Sequence, residues 1–177
     1  FAAINSDRGH VASSGGLGAV MGSKNLKALV VEGGGPVPIT TENIDAFKKA
    51  VMAWRQEASA TGLGKMVHEK GTLGMFLPYH EKGWAPVKNL TTNLLSDESL
   101  RGFDAETINR EFYEKIPRSC HACTFNHCHT VRVKKGPYRG MVGEEPEYEI
   151  LAGFGSNWGI DDAGAITMLN TLNDDLC

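Results

Sequence analysis

The chain has 177 residues, which is enough for one domain with its own core or for parts of two. Its formal net charge of −3 argues against a nucleic-acid or anionic-membrane partner. No apolar run approaches the ~20 residues of a membrane span, and no signal peptide is recognisable. Because the cysteines cluster and no export signal is present, we expect a cytoplasmic protein.

Both ends of the chain indicate a piece of a longer polypeptide. The chain starts at Phe1 without Met, and it stops at Cys177 inside an apparently helical pattern with no Gly or Pro stop signal. We therefore expect residues outside this chain to complete its function.

The first element in chain order is a glycine-rich segment, residues 9–35. It offers flexible backbone and hydroxyl donors at Ser13, Ser14, Gly15, Gly16 and Gly18. Glycine permits positive φ and close approach to a ligand, and hydroxyls suit phosphate, although no Walker A pattern is present. Two interpretations stay open, an anion cradle and a turn between strands. Residues 28–31 predict a short buried strand.

Three helices and one strand are predicted further along the chain. Residues 42–59 predict a helix, after possible N-caps at Thr40 and Thr41, whose core-facing stripe is Ile44, Phe47, Val51 and Trp54. A second helix is expected from an Asp104 cap to the residue before Pro117, with Ile108, Phe112 and Ile116 on one face. Residues 129–135 predict a strand with Val131 and Val133 inward. Asp161 or Asp162 is expected to cap a last helix with inward Ile166, Leu169, Leu172 and Leu176.

Three of the four cysteines lie in one short run, at Cys120, Cys123 and Cys128. The C-x2-C-x4-C pattern places soft thiolate ligands close together, as iron–sulfur clusters require, and a fourth, distant Cys commonly completes such a site. Alternatives are structural zinc with His127 or His129, a disulfide framework, and free buried thiols. Thr124 replaces the His that a c-type haem site needs. Arg118 and the histidines His121, His127 and His129 are candidate hydrogen-bond donors around such a centre.

Residues 143–157 begin with an acidic run. Glu147 and Glu149 flank Tyr148, and in a desolvated site one of these carboxylates would have a raised pKa and move protons. The alternative is a solvated acidic loop.

The chain resembles the tungsten-containing aldehyde:ferredoxin oxidoreductase family. The resemblance rests on the segment from Gly15 to Ala28, on the cysteine run after a Pro-ended helix, and on Pro146–Glu149 followed by Gly155–Asn157. Residues 86–89 look like the family's Pro-Thr-Arg-Asn segment. The resemblance implies an α+β fold: residues 1–40 would end a β-rich pterin-binding domain, and residues 41–177 would form a mostly helical domain carrying the cysteines.

The resemblance also implies cofactors and roles. The family binds tungsten, or molybdenum in some relatives, through two pyranopterins with a bridging Mg²⁺, beside a [4Fe-4S] cluster. The residues that would then contact pterin and phosphate are Ala12, Ser13, Ser14, Gly15, Gly16 and Gly18. Cys120, Cys123 and Cys128 would bind the cluster, and Glu149 or Glu147 would handle protons near tungsten. Its substrate would be a small aldehyde, its electron acceptor ferredoxin or another subunit, and its assembly a homo- or hetero-oligomer.

Two departures point to a divergent branch. The family's usual cluster spacing is C-x2-C-x3-C, one residue shorter than here, and Ser13–Ser14 replaces a common Gly-Arg. They suit a relative such as the tungsten subunit of class II benzoyl-CoA reductase, which would reduce an aromatic acyl-CoA. A zinc-stabilised module that binds an anionic partner is the non-enzymatic alternative.

Overall fold

The computed structural model describes residues 2–6, 10–35, 42–118 and 120–176. The strands are β1 Ile4–Ser6, β2 His10–Ala12, β3 Tyr113–Pro117, β4 His129–Val133 and β5 Val142–Glu144. The helices are α1 Leu17–Ser23, α2 Ile44–Ala60, α3 Gly62–Lys70, α4 Phe76–Glu81, α5 Asp97–Phe103, α6 Ala105–Thr107, α7 Tyr148–Ile150 and α8 Ala163–Leu176. Short 3₁₀ turns cover Ser14–Gly16 and Thr72–Met75, and π-helical turns cover Ile108–Phe112 and Leu151–Ser156.

The chain divides into two compact units. One contains the described residues up to Arg55 together with those from Asp174 onward, and the other is Gln56–Asn173. In the first, β1 and β2 pair antiparallel with Ile4 opposite Ala12. The chain then turns through Gly15 and Gly16, at φ of 80° and 73°, into α1. Glycine adopts this left-handed region without the steric cost of a Cβ, so the turn explains both residues.

Gly18 has a packing role in this unit, and its predicted contact with a cofactor stays a prediction. It lies within α1, where a Cβ would come 2.4 Å from the carbonyl oxygen of Ala2. Its missing side chain therefore lets α1 pack on the segment before β1. Gly22, in the same helix, has nothing within 4 Å of the position its Cβ would occupy.

Two predictions about apolar residues in this unit are wrong. Residues 28–31 form no strand, and the exposed fractions of Leu29, Val30 and Val31 are 78%, 89% and 83%. A strand requires a neighbour that takes its hydrogen bonds, and the described residues pair none with this segment. Helix α2 confirms the predicted helix, but its stripe of Ile44, Phe47, Val51 and Trp54 is exposed in this chain. The N-caps predicted at Thr40 and Thr41 lie outside the described residues.

The second unit contains the apolar core. Its buried side chains come from the 3₁₀ turn Thr72–Met75, α4, α5, the π turns, the sheet, α8 and the segment after α4. The largest apolar ones are Leu73, Phe76, Val87, Phe103, Ile108, Val131, Val133, Leu151 and Ile166. Phe76 and Phe103 stack with ring centroids 4.6 Å apart. This packing fixes the three-stranded sheet against α4 and α5, which precede it in the chain, and against α8, which follows it.

Asp104 caps α6 as predicted, because its carboxylate accepts the backbone N–H groups of Glu106 and Thr107. The helix ends at Phe112, however, and Tyr113–Pro117 is strand β3, so the prediction that it continues to Ile116 is wrong. The antiparallel partner β4 supplies hydrogen bonds that override the helical pattern, with Tyr113 opposite Val133. Strand β5 pairs on the other side of β4.

Strand β4 and helix α8 confirm the predicted elements at the end of the chain. Val131 and Val133 are buried while Arg132 between them is exposed. Asp162, rather than Asp161, accepts hydrogen bonds from the backbone of Gly164 and Ala165. The inward face of α8 consists of Ala163, Ile166, Thr167 and Asn170. The predicted inward Leu172 and Leu176 are exposed.

The α+β fold class is confirmed by these helices and small antiparallel sheets. The predicted domain boundary near residue 40 lies outside the described residues and stays a prediction. In the part of the chain that the structure describes, no helix has the length and apolar character needed to cross a bilayer.

Candidate metal centre

The predicted cysteine ligands lie on the loop that joins β3 to β4. Pro117 and His129 are the strand pair next to the loop, and the backbone N–H of Arg118 donates to the carbonyl of Cys128 at 3.0 Å. The two ends of the loop are thereby closed next to each other. Strand pairing therefore brings Cys120 and Cys128, eight positions apart in sequence, to the same place; Ser119 between them lies outside the described residues.

The loop reverses direction twice. Within the C-x2-C segment, the N–H of Cys123 donates to the carbonyl of Cys120 at 3.1 Å. Ala122 and Asn126 have φ of 56° and 50°. A non-glycine residue in this left-handed region costs roughly 1–2 kcal/mol, and such strain is concentrated at functional sites. The two reversals on either side of Cys123 are what fold the loop back on itself.

The three thiols are free. Cys120 is exposed, Cys123 and Cys128 are half-buried, and the sulfurs of Cys120 and Cys128 are 3.9 Å apart. A disulfide bond needs about 2.05 Å, so the disulfide alternative is wrong for these three residues. Free thiols gathered on one loop fit the donor set of a soft metal or an iron–sulfur cluster.

Cys128 is a poor nucleophile in this environment. Burial, the neighbouring Cys120 thiol and the carboxylates of Glu147 and Glu144 together raise the pKa of Cys128 to about 12. The thiolate is the reactive form of cysteine, so covalent catalysis by this thiol is disfavoured at neutral pH. A bound metal removes the proton of a coordinating thiol outright, which makes a ligand role compatible with the same surroundings.

Glu147 lies next to the thiol loop and is held in place from the opposite side. The hydroxyl of Thr72 donates to its Oε2, and the N–H of Tyr148 donates to the Thr72 hydroxyl oxygen at 2.9 Å. Its Oε1 is 3.5 Å from Nε2 of His127. His127, Cys128 and Glu147 are all half-buried, and each offers an atom within 4.8 Å of the others. Thr72 was missed in the sequence, because only the folded chain brings it to a residue 75 positions away.

A buried charged group stabilises the base of the loop. Glu145, 5% exposed, forms an ion pair at 2.6 Å with Lys115 of β3, although the angle is not that of a hydrogen bond. Its other oxygen accepts a hydrogen bond from Nδ1 of His129 at 2.6 Å. Because a carboxylate only accepts, the proton of His129 lies on Nδ1. The solvated-loop alternative is therefore wrong for Glu145, which the sequence analysis did not single out.

Helix α3 holds the middle of the loop. His68 near its C-terminal end donates from Nδ1 to the carbonyl of Phe125 at 2.6 Å. In this contact His68 anchors the backbone of the loop. The loop is thus fixed at its base by the hairpin and between Cys123 and Cys128 by α3.

Glu149, the other predicted carboxylate, is exposed, and among the described residues it forms no hydrogen bond or ion pair with the thiol loop. It lines a concavity of about 320 Å³ with Phe154, Trp158 and Asn157. Phe154 and Trp158 form an edge-to-face pair with centroids 5.7 Å apart. Of the two carboxylates, the structure brings only Glu147 to the cysteines.

Two further segments of the resemblance meet within the second unit. The backbone N–H groups of Lys88 and Asn89 donate to the carbonyls of Ser156 and Asn157 at 2.8 and 2.7 Å. The Ser156 hydroxyl donates to the carbonyl of Pro86 at 2.6 Å. Lys88, Asn89 and Leu90 are all left-handed, with φ of 46°, 54° and 61°. Three successive strained residues persist only where surrounding contacts fix them, and Ser156 and Asn157 supply such contacts.

The predicted pterin segment lies in the first unit. Ala12, Ser13, Ser14, Gly15 and Gly16 are exposed, and Gly18 is half-buried. Among the described residues, no atom apart from those of the adjoining residues lies within 4 Å of the Cβ positions of Gly15 and Gly16. The turn therefore leaves its backbone uncovered, as a surface for a large cofactor requires.

Together, the α+β fold and the loop of free thiols present three candidate ligands for a soft metal on one β-hairpin. Residues 1–33 match the model for the N-terminal domain of aldehyde ferredoxin oxidoreductase, and residues 47–177 match the model for domains 2 and 3. The chain belongs to the aldehyde ferredoxin oxidoreductase family.

Curated relatives agree. The chain is 35% identical over 181 residues to a tungsten-containing aldehyde ferredoxin oxidoreductase of Pyrococcus furiosus, and 33% identical over 177 residues to one of Thermococcus kodakarensis. It is 34% identical over 180 residues to the WOR-like subunit of an aliphatic sulfonate oxidoreductase of Pyrococcus furiosus. Each comparison covers 99% of this chain but only 27% or 28% of the relative.

Proposed function

We propose that this chain is part of a tungstopterin iron–sulfur oxidoreductase that oxidises aldehydes to carboxylic acids. The observation that carries the proposal is the set of three free thiols on one hairpin loop beside the fixed carboxylate of Glu147. The family match and the names of two relatives support the tungsten cofactor and the aldehyde substrate. Free thiols suit a reducing compartment, and we therefore also propose the cytoplasm.

The overall reaction converts an aldehyde and water into a carboxylic acid, two protons and two electrons. The bound tungstopterin would supply the redox chemistry at the carbonyl carbon. Glu147 would accept a proton, because its Oε1 is free of the Thr72 hydrogen bond that orients Oε2. Glu149 is the alternative proton acceptor, since it lines an open concavity that a small substrate fits.

Cys120, Cys123 and Cys128 would hold a [4Fe-4S] cluster, with a fourth ligand from outside these residues. The electrons would leave through this cluster, one at a time, to ferredoxin or an electron-transfer subunit. The exposed turn of Ala12–Gly18 would hold the pterin, its phosphates and the Mg²⁺ that neutralises their charge. Backbone N–H groups and the hydroxyls of Ser13 and Ser14 are suitable donors for phosphate oxygens.

Metal analysis of the intact protein tests this proposal. We expect tungsten and about four irons per subunit, with an EPR signal from the reduced cluster. Oxidation of an aldehyde coupled to reduction of ferredoxin is the expected activity. Protein that contains neither tungsten nor iron refutes the proposal.

Two observations favour other candidates. The relative named for aliphatic sulfonates is as similar as those named for aldehydes, so a sulfonate belongs in the same substrate screen, with benzoyl-CoA for the divergent branch. The sulfur separation of 3.9 Å is near the edge of a tetrahedral zinc site, about 3.8 Å for Zn–S bonds of about 2.3 Å. A cluster places each thiolate on a different iron, so its sulfurs stand further apart. One zinc per subunit and no iron would establish the zinc-stabilised module instead.

A further inference from the structure

His127 is the histidine of the thiol loop that lies between a sulfur and a carboxylate. Its Nε2 is 3.8 Å from the sulfur of Cys128 and 3.5 Å from Oε1 of Glu147. Its other ring nitrogen, Nδ1, is buried and has no hydrogen-bond partner among the residues that the structure describes. When the Cys128 sulfur binds a metal it is a thiolate, and a thiolate and a carboxylate only accept hydrogen bonds. Two such acceptors beside one nitrogen then assign the ring proton to Nε2.

The carboxylate in this arrangement cannot easily turn away. Thr72 donates its hydroxyl to the far oxygen of Glu147, and the N–H of Tyr148 fixes the Thr72 hydroxyl at 2.9 Å. Only 24% of the His127 side chain is exposed, so the ring has little freedom to exchange these acceptors for water. The Nε2–H group therefore remains shared between one sulfur and one oxygen.

We propose that His127 sets the reduction potential of the cluster bound by Cys128, by donating its Nε2–H to the Cys128 sulfur. This inference rests on the proposed function. Hydrogen bonds to cluster sulfurs withdraw electron density and favour the reduced state. The imidazole also separates the negative charge of Glu147 from the sulfur, and closer approach of that charge would disfavour the added electron. His127 is thus a positioning residue that acts on the cluster through its ligand.

The test is a redox titration of intact, cofactor-loaded protein followed by EPR. His127→Leu removes the donor, and we expect the equilibrium constant for one-electron reduction to fall about tenfold, a lowering of about 59 mV. His127→Gln carries an amide N–H at a similar distance from the backbone and should recover most of the loss. His121→Leu is the matched control, because His121 lies on the same loop but is exposed, and it should leave the potential unchanged.

The outcomes separate the two proposals. Wild-type protein without iron refutes the proposed function, and this inference with it. Iron-loaded His127→Leu protein with the potential of His121→Leu refutes the inference alone. If His127→Leu binds no iron, the same redox titration is made on His127→Phe, which keeps a planar ring but has no N–H group. Its potential should then be lowered by about the amount expected for His127→Leu. Loss of iron from both variants would overturn the proposal in favour of a ligand role for His127.

Discussion

Glu145 provides the sharpest test of how the fold supports the thiol loop. Glu145→Gln keeps the shape of the side chain but removes the charge that compensates Lys115. The side chains of Glu145 and Lys115 are only 5% and 19% exposed, so the lysine would lose its counter-ion with little water to replace it. Breaking such a buried pair costs about 3–5 kcal/mol, and we expect about 3 because part of Lys115 reaches solvent.

Glu114→Gln is the matched control on the same hairpin. Glu114 pairs with Arg132 at 3.5 Å, but these side chains are 62% and 50% exposed. An exposed pair contributes about 0–1 kcal/mol. The same chemical change at Glu114 of β3 and at Glu145, directly after β5, should therefore give effects that differ several-fold.

Hydrogen exchange of the β3–β4 hairpin is the appropriate assay, because an intact multi-domain protein does not unfold in two states. A loss of 3 kcal/mol raises the opening equilibrium by about two orders of magnitude. Backbone amides of the hairpin, such as those of Arg118 and Val131, should then exchange about a hundredfold faster in Glu145→Gln. The double change Lys115→Met with Glu145→Leu should restore much of the protection, since it leaves no unpaired charge. Equal rates in Glu145→Gln and Glu114→Gln would refute the reasoning.

Two further predictions concern glycine packing and a helix cap. Gly18→Ala should destabilise the first unit by about 1–3 kcal/mol, because the added Cβ would clash with Ala2. Gly22→Ala, the control in the same helix, should be neutral or stabilising by up to about 1 kcal/mol. Hydrogen exchange of the β1–β2 amides measures both effects. Asp104→Ala should cost about 1 kcal/mol in thermal or exchange measurements. Burial alone would raise the pKa of Asp104, but hydrogen bonds from Thr107 outweigh burial and lower this pKa. The ionised carboxylate therefore stabilises the fold at pH values above its ordinary pKa. That stabilisation is lost as the pH falls through the lowered pKa of the folded state. Asp104→Asn should retain part of the cap without this pH dependence.

Local signals in the sequence predicted the elements whose stability is local. Helix α2, the Asp104 cap and the Asp162 cap all depend on residues within a few positions of one another. Strand β4 was visible from its local alternation of buried and exposed residues, although β3 and β5 take its hydrogen bonds. The candidate ligands were also visible as a spacing of cysteines. Such features follow from backbone hydrogen bonding and side-chain periodicity, which a single sequence displays directly.

Features decided by distant partners were not predictable in this way. Tyr113–Ile116 fits a helical pattern, yet it forms a strand because β4 takes its hydrogen bonds. Glu145 lies in an acidic run that reads as solvated, yet Lys115, 30 positions earlier, gives it a buried partner. In both cases the deciding contact joins residues that the sequence separates by many positions, so no local pattern could indicate it.

The extra residue in the cysteine run is accommodated by the backbone. Relative to the family's usual C-x2-C-x3-C spacing, this chain has four residues between Cys123 and Cys128, and Asn126 among them is left-handed. Asparagine tolerates this conformation better than most residues, so the chain can reverse there at a small cost. The reversal lies within this longer stretch, and the sulfur of Cys128 lies 3.9 Å from that of Cys120. The longer spacing is therefore compatible with a shared centre for Cys120 and Cys128. It also gives the loop one more residue before Cys128, and His127 lies beside the Cys128 sulfur.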